Sequence, residues 1–286
     1  MSNLSISRAQ RLDQKVIELI PELSRAFAVR LISDKKVTVN GLPETKPGRK
    51  LKAGDEVLVD YATSDLSKIP AINLPVIYED DDCLVIDKPA GILTHSKGAY
   101  NPEASVATFV SSKINDMRGN RAGIVHRLDR GTSGVIIVAK TPDSLKFLQR
   151  QFSTRKVKKT YVAVINGQIE PPAAIIDMPI ERNPKSPQTF RVGAGGKSAK
   201  TTYKTLEFND NYSLLELTPE TGRTHQLRVH LNQLGHPVVG DIFYGGQAAE
   251  RLMLHAKSLE ISLPSGRRQV FSSAVPAEIL DKMSKP

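Results

Sequence analysis

The chain has 286 residues, of which 40% are hydrophobic and 24% charged; this suits about two soluble globular domains and excludes a disordered or fibrous chain. The single cysteine, Cys83 in the apolar stretch "CLVID", excludes a disulfide framework and a cysteine-based metal site and points to a reducing compartment. The net charge of +10 is concentrated in residues 25–52, with eight Lys and Arg against two acids, and in 118–159, with eleven against two, so the remainder is net acidic. Such clustering favours a polyanionic partner, although a charge run alone is commonly a solvated face. No apolar run reaches the length of a membrane span and the first residues lack the apolar core of a signal peptide, so a cytoplasmic protein with no membrane contact is expected.

In "QRLDQKVIELIPEL", Leu12, Val16, Leu19 and Ile20 recur at helical spacing and Pro21 ends the pattern. Ser24 can cap a second helix, "RAFAVRLI". "KVTVNG" then alternates like a strand and closes on Asn40-Gly41, and "KLKAGDEVLVD" supplies another strand after the turn at Gly54-Asp55. This is a helix-then-hairpin module. Arg11, Arg25, Arg30, Lys35 and Lys36 either line one binding face of it or are ordinary surface residues. Residues 61–75, rich in Pro and small polar residues, read as a linker, which gives domains at 1–62 and 76–286 joined by 63–75.

The second domain opens with strand, acidic turn (Asp80 to Asp82), strand and a Pro-Ala-Gly loop in "VIYEDDDCLVIDKPAGILTH"; Lys88, taken alone, reads as a surface lysine. In "GIVHRLDRGTSGVIIVAK", residues 123–140, β-branched runs on both sides predict two short buried strands. Between them His126, Arg127, Asp129, Arg130, Thr132 and Ser133 form a polar knot. A helix is predicted in "TPDSLKFLQRQFSTRK", and a strand in "KKTYVAVING" with Tyr161 near its start. A hairpin turning at 209–211 follows. Thr224 can cap a helix running to Gly235, which places Arg223 just ahead of a helix N-terminus, and the chain closes with one short helix.

The chemistry narrows by elimination. His225, His230 and His236 lack the spacing of a helical zinc site and have no acidic third ligand close in sequence, so no metal is expected. There is no Walker A loop and no dinucleotide fingerprint, and Ser133 lacks the nucleophile elbow of a hydrolase. What remains is Asp129, an isolated carboxylate framed by arginines. A carboxylate can act at a glycosidic carbon, and an Asp in such a loop can equally close an Asx-turn.

Two resemblances bear on that choice. Over about residues 8–60, the order Arg-Leu-Asp, Ser-Arg, Val-Asn-Gly, Gly-Asp resembles the S4 RNA-binding domain, departing from it where Asp34-Lys35-Lys36 replaces the usual turn glycine. "HRLDRGTSG", supported by "VIDKPAG", "KTYVAVINGQI" and "TGRTHQLRVHLNQLGHPVVGDIFYGG", resembles the signature segments of the RluA family of pseudouridine synthases. The resemblance implies an α+β catalytic domain, with a mixed, mainly antiparallel sheet crossed by an active-site cleft, behind a small S4-like domain. It implies an isomerase that converts uridine in RNA to pseudouridine without a cofactor. Asp129 would be the catalytic carboxylate; attack at C1′, attack at C6 and passage through a glycal all stay open. Arg223 would pair with Asp129, keeping it ionised and oriented, the alternative being a surface pair with Glu220. Tyr161 would stack near the uracil and serve the proton removal from C5. Arg127 would enter the RNA stack where the uridine leaves it, the alternative being a phosphate contact or turn support; His126 would also contact RNA, and Lys88 would border the cleft. The expected partner is large-subunit ribosomal RNA, with transfer RNA as the alternative substrate, and the protein is expected to be a monomer. A non-catalytic RNA-binding or ribosome-assembly protein and a uracil-releasing hydrolase are the competing functions.

Overall fold

The structure is a computed structural model that describes residues 10–21, 23, 25–61, 71–95, 103–117, 121 and 123–284. Most of the predicted linker, residues 62–70, and the predicted cap Ser24 lie outside the described residues. Two compact units are present: residues 1–72 with 95–112 and 118–122, and residues 73–94 with 113–117 and 123–286.

In the first unit, helices α1 (Leu12–Leu19) and α2 (Arg25–Ser33) precede a small antiparallel sheet of β1 (Val37–Val39), β2 (Leu42–Pro43) and β3 (Val57–Val59), in the order β2-β1-β3. The spacing that predicted α1 also explains its burial. Leu12 and Val16, one turn apart, enter a core with Leu31, Ile32, Val37 and Val39. Asn40 and Gly41, both at positive φ (53° and 78°), make the tight hairpin turn read from "NG". Lys35 takes φ 60° in the turn where the resembling domain carries glycine, so this chain builds a left-handed turn with an L-residue. Helix α3 (Val106–Val110), capped by Ser105, also belongs to this unit.

The second unit is built on a nine-stranded sheet. Its path runs β4 (Val76–Glu79), β5 (Cys83–Lys88), β6 (Ser133–Ala139), β13 (Leu254–Ser262), β7 (Lys158–Asn166), β12 (Tyr212–Pro219), β11 (Lys200–Phe208) and β8 (Ala173–Asp177), with β14 (Arg268–Ser272) on β13. Among the described residues only β6 and β13 pair in parallel. Every residue of β6 is buried, as the continuous apolar run predicted. The run before the knot is different: Ile124 makes only an isolated bridge to Val138, so one strand rather than two supports the loop. Helix α4 (Pro142–Ser153) is capped by Thr141 and packs with β6, and β9 (Ile180–Arg182) with β10 (Phe190–Val192) forms a separate hairpin. Helices α5 (Gln226–Gln233) and α6 (Ala277–Ser284) complete the unit. Thr224 does not cap α5. His225 occupies the cap position in a left-handed conformation (φ 56°), with no side-chain capping bond. Among the described residues no helix is long and apolar enough to cross a membrane.

Candidate active site

The polar knot is clamped from below. Thr94 brackets Leu128: its hydroxyl donates to the Leu128 carbonyl at 2.8 Å and accepts from the Leu128 N–H at 3.1 Å. Lys88 lies beneath the next turn, fully buried, donating to the carbonyls of Pro89 (2.9 Å), Ile92 (2.8 Å) and Arg130 (3.3 Å). Burial pushes its pKa down to about 7, against the opposing charge of Asp129. Lys88 therefore supports the loop from within and has no surface to offer RNA. On the far side Gly134, at φ 108°, lets β6 run against β13, since a Cβ there would stand 2.2 Å from the Ala256 carbonyl oxygen. Ser133 bonds His255 Nδ1 at 2.8 Å and accepts from Arg251.

Held this way, Asp129 turns its carboxylate into a cleft of about 610 Å³ lined also by Arg127, Lys159, Tyr161, Arg223, His225 and Arg228. Its side chain is 18% exposed. Its backbone carbonyl closes a turn by accepting the Thr132 N–H at 3.1 Å, but among the described residues its carboxylate accepts no backbone N–H, so it closes no Asx-turn. Its hydrogen-bond donor is Arg228, whose Nη1 stands 3.2 Å from Oδ2.

That donor is not the one expected. Arg223 directs its Nε to the Ser198 carbonyl at 2.9 Å, and it makes neither the predicted ion pair with Asp129 nor the alternative one with Glu220, which pairs with Lys200 at 3.0 Å. The reason is the geometry of α5. The left-handed His225 starts the helix two residues past Arg223, and the first helical turn then brings Arg228 under Asp129. Arg228 is also gripped through Nε and Nη2 by both oxygens of the buried Asp241, at 2.6 and 2.8 Å. Burial works against its charge, but the two carboxylates outweigh burial and raise its pKa. The faces of Phe243 and Tyr244 lie 5.7 and 5.1 Å from the guanidinium.

Three further cleft residues were not assigned to the site from the sequence, where His225 was weighed only as a metal ligand. His225 Nε2 stands 3.9 Å from Asp129 Oδ2 and its Nδ1 is 2.9 Å from the Tyr244 hydroxyl, which accepts the Phe190 N–H; burial lowers the ring's pKa against the charge of Asp129. Lys159 donates to the Thr221 carbonyl at 3.1 Å, and burial lowers its pKa to about 8. Gln226 fixes the loop before α5, accepting from the Thr221 hydroxyl and the Arg223 N–H while donating to Lys200 and Thr201.

Tyr161 lines the cleft as expected, and burial, followed by the charge of Asp129, holds its hydroxyl above the usual tyrosine pKa. Arg127 is exposed on the cleft lining. His126 faces elsewhere: its ring stacks on Phe152 at 4.5 Å, and its Nε2 accepts the Ile137 N–H at 3.2 Å. Burial depresses its pKa to about 3, so the ring is a neutral packing element and not a cation for phosphate. In the first unit, Arg11 and Arg25 both bond the buried Asp13 at 2.9 Å, Arg30 is 3.5 Å from Asp34, and Lys36 is 2.8 Å from Asp60. Lys35 is exposed. Arg11 and Arg25 converge on one acid, which leaves that pair net positive.

Residues 82–233 match the family model described as RNA pseudouridylate synthase, and residues 10–57 match the S4 domain. The chain is 36% identical over 244 residues to an uncharacterized RNA pseudouridine synthase of Aquifex aeolicus, covering 82% of this chain and 77% of that one. It is 35% identical over 292 residues to ribosomal large subunit pseudouridine synthase D of Yersinia pestis, covering 95% and 89%. Among solved structures, human RNA pseudouridylate synthase domain containing 1 superposes with a TM-score of 0.59 at 31% identity, over 71% of this chain and 83% of that one.

Proposed function

Because the chain belongs to the RNA pseudouridylate synthase family, with an S4 domain at its N-terminal end, we propose that the cleft at Asp129 isomerises uridine to pseudouridine in large-subunit ribosomal RNA. The choice of RNA follows the relatives named ribosomal large subunit pseudouridine synthase D, which align over nearly the whole chain. One observation carries the site assignment. The Asp129 carboxylate, which could have closed a local turn, is instead aimed into a cleft and anchored by a buried arginine 99 residues away in sequence.

The reaction breaks the N1–C1′ bond of uridine, turns the uracil, and forms a C5–C1′ bond; the C5 hydrogen leaves as a proton and N1 gains one. Atoms balance without a group donor. Asp129 supplies the negative charge that permits the first bond to break, and Arg228 fixes its direction. Tyr161 forms a wall of the uracil site. With its pKa raised, its hydroxyl stays protonated at neutral pH and serves the C5 proton as a relay, accepting that proton as it passes its own to the Asp129 carboxylate, whose charge acts on it. Enclosure matters because water reaching the cleaved sugar would leave an abasic site. A uridine inside folded RNA must be flipped out to reach Asp129, and exposed Arg127 is placed to contact the strand it leaves.

The test is Asp129→Asn, assayed by tritium release from [5-³H]uridine-labelled total RNA of cells lacking the gene. Asparagine keeps the shape and the backbone turn but not the charge, so release is expected to fall by several orders of magnitude with RNA binding retained. Near-normal release by the folded variant would refute the assignment. Mapping pseudouridine in the same RNA before and after treatment separates ribosomal from transfer RNA.

A further inference from the structure

The wall of the cleft formed by Gly222, Arg223 and Thr224 is shared with a second groove of about 900 Å³. The groove's charged lining is one-sided. Arg182, Lys197 and Arg223 face a single acid, Glu181, and Glu181 is already paired with Arg191 at 2.7 Å. Arg182 and Lys197 are exposed, whereas Arg223 is fixed at the junction by its bond to Ser198.

An aromatic ring stands among these cations. Phe190 is half-buried, its N–H bonded to the Tyr244 hydroxyl at 2.9 Å and its ring 5.5 Å from His225, with the Arg182 guanidinium 5.1 Å from its centroid. The wall is also a built one. Lys197 and Ile180 exchange both backbone hydrogen bonds at 2.9 Å, and Gly196 sits so close that a Cβ there would lie 2.5 Å from the Ile180 carbonyl carbon. Cations tracking a backbone beside an aromatic platform are the elements of a single-stranded nucleic-acid site.

We propose that this groove is the subsite for the nucleotide next to the target uridine, so that the RNA strand leaves the cleft past Arg223. The proposal rests on the reading of the Asp129 cleft as a uridine-isomerising site, and it extends that reading by naming an exit direction and its residues. The phosphate joining the two nucleotides meets Arg223, Lys197 carries the backbone beyond it, and the adjacent base stacks on the platform made by Phe190 and the Arg182 guanidinium that lies over its ring. Arg223, at the junction of the two cavities, thereby acts on the substrate's backbone and not on Asp129. The base neighbouring the target would be selected here by stacking, which tolerates any base but favours the larger rings.

Four full-length variants test this: Arg182→Gln with Lys197→Gln, Arg223→Gln, Arg223→Lys and Phe190→Leu. Binding is titrated on a transcript of large-subunit ribosomal RNA across salt concentrations, and tritium release is measured on the labelled total RNA. Removing charge is expected to lower the slope of log Kd against log salt by about 1 per cation and to raise KM more than it lowers kcat, with Arg223→Lys restoring the slope. Phe190→Leu is expected to raise KM with the slope unchanged. An unchanged slope and KM in the charge variants, or a loss confined to kcat, would overturn the subsite. If the wild-type protein released no tritium, the isomerase reading would fall, whereas the salt slopes would still decide whether RNA occupies the groove.

Discussion

The pairing of Asp129 with Arg228 makes Arg228→Lys the most informative single change. The guanidinium makes three charge-assisted hydrogen bonds, two to Asp241 at 2.6 and 2.8 Å and one to Asp129 at 3.2 Å, from a side chain only 7% exposed. An ammonium keeps the charge but not the fork, so it can serve one carboxylate well and not both. With hydrogen bonds to charged groups contributing about 1.5–3 kcal/mol each, and one of the three remade, the expected loss is about 3–6 kcal/mol. For a unit of this size that lowers Tm by roughly 6–24 °C. Turnover should fall by about 10–10², because the remaining ammonium will settle on the more buried Asp241 and leave Asp129 without its anchor. Thermal melting and tritium release on one preparation read both quantities. A variant with wild-type Tm and turnover, alongside an Arg223→Lys variant that loses turnover at unchanged RNA affinity, would restore Arg223 as the partner of Asp129 and refute this reasoning.

Three other outcomes are expected. The His126 ring, with its pKa lowered from 6.5 to about 3, refuses a proton that the unfolded chain accepts, so stability falls as pH drops from 6.5 to 3; His126→Phe should make that limb shallower, the rest belonging to the buried His225, His230 and His255, cost about 1–3 kcal/mol through the orphaned Ile137 N–H, and leave the salt slope of RNA binding unchanged in urea and titration measurements. Lys88, lowered by burial from 10.5 to about 7, acts with the same sign in a higher window: between pH 7 and 10.5 the unfolded chain holds the extra proton, so stability rises with pH there, and Lys88→Met should reduce the rise to the part contributed by Lys159, lowered to about 8, in urea denaturation at pH 7, 8.5 and 10. A fragment beginning at Val76 is expected to fold and release some tritium with weaker RNA binding; an unfolded fragment, seen by circular dichroism, would refute a domain boundary at 63–75.

The elements that were legible in the sequence are those whose own residues carry the whole signal. The alternation around Tyr161 specifies β7, Thr141-Pro142 starts α4, and Asn209 turns the β11–β12 hairpin by accepting the N–H groups of Asn211 and Tyr212. The pairing of Asp129 was not legible, because it joins a loop and a helix 99 residues apart through a backbone angle at His225 that no local pattern announces. The flanking residues carry only part of the signal: Arg228 sits between Leu227 and Val229, with Leu231 following, and the fold buries the whole stretch 226–231, so an arginine there requires a carboxylate. The same logic applies to Lys88 at the end of the buried run "CLVID": its place in β5 sends the ammonium inward, where three carbonyls of the following loops satisfy it. Lys88, read as bordering the cleft, holds the loops beneath it, and Arg228 holds the carboxylate that faces it.

That division of labour determines what Asp129 can do. Asp241 occupies Nε and Nη2 of Arg228 and leaves only Nη1 for Asp129, so the reactive carboxylate is held through one oxygen, Oδ2, by a donor that cannot swing away. Its other oxygen, Oδ1, accepts no hydrogen bond among the described residues and is the one available to a sugar carbon or a base. A bidentate grip on Asp129 would have tied up both oxygens, and a single arginine without Asp241 would have let the pair reorient together. The three-residue chain Asp241, Arg228, Asp129 meets both requirements at once: it fixes the direction of the carboxylate through a rigid buried pair and keeps one oxygen unengaged. Arg223, five residues earlier, could not take that position, since it precedes the left-handed turn at His225 and lies on the wall shared with the neighbouring groove.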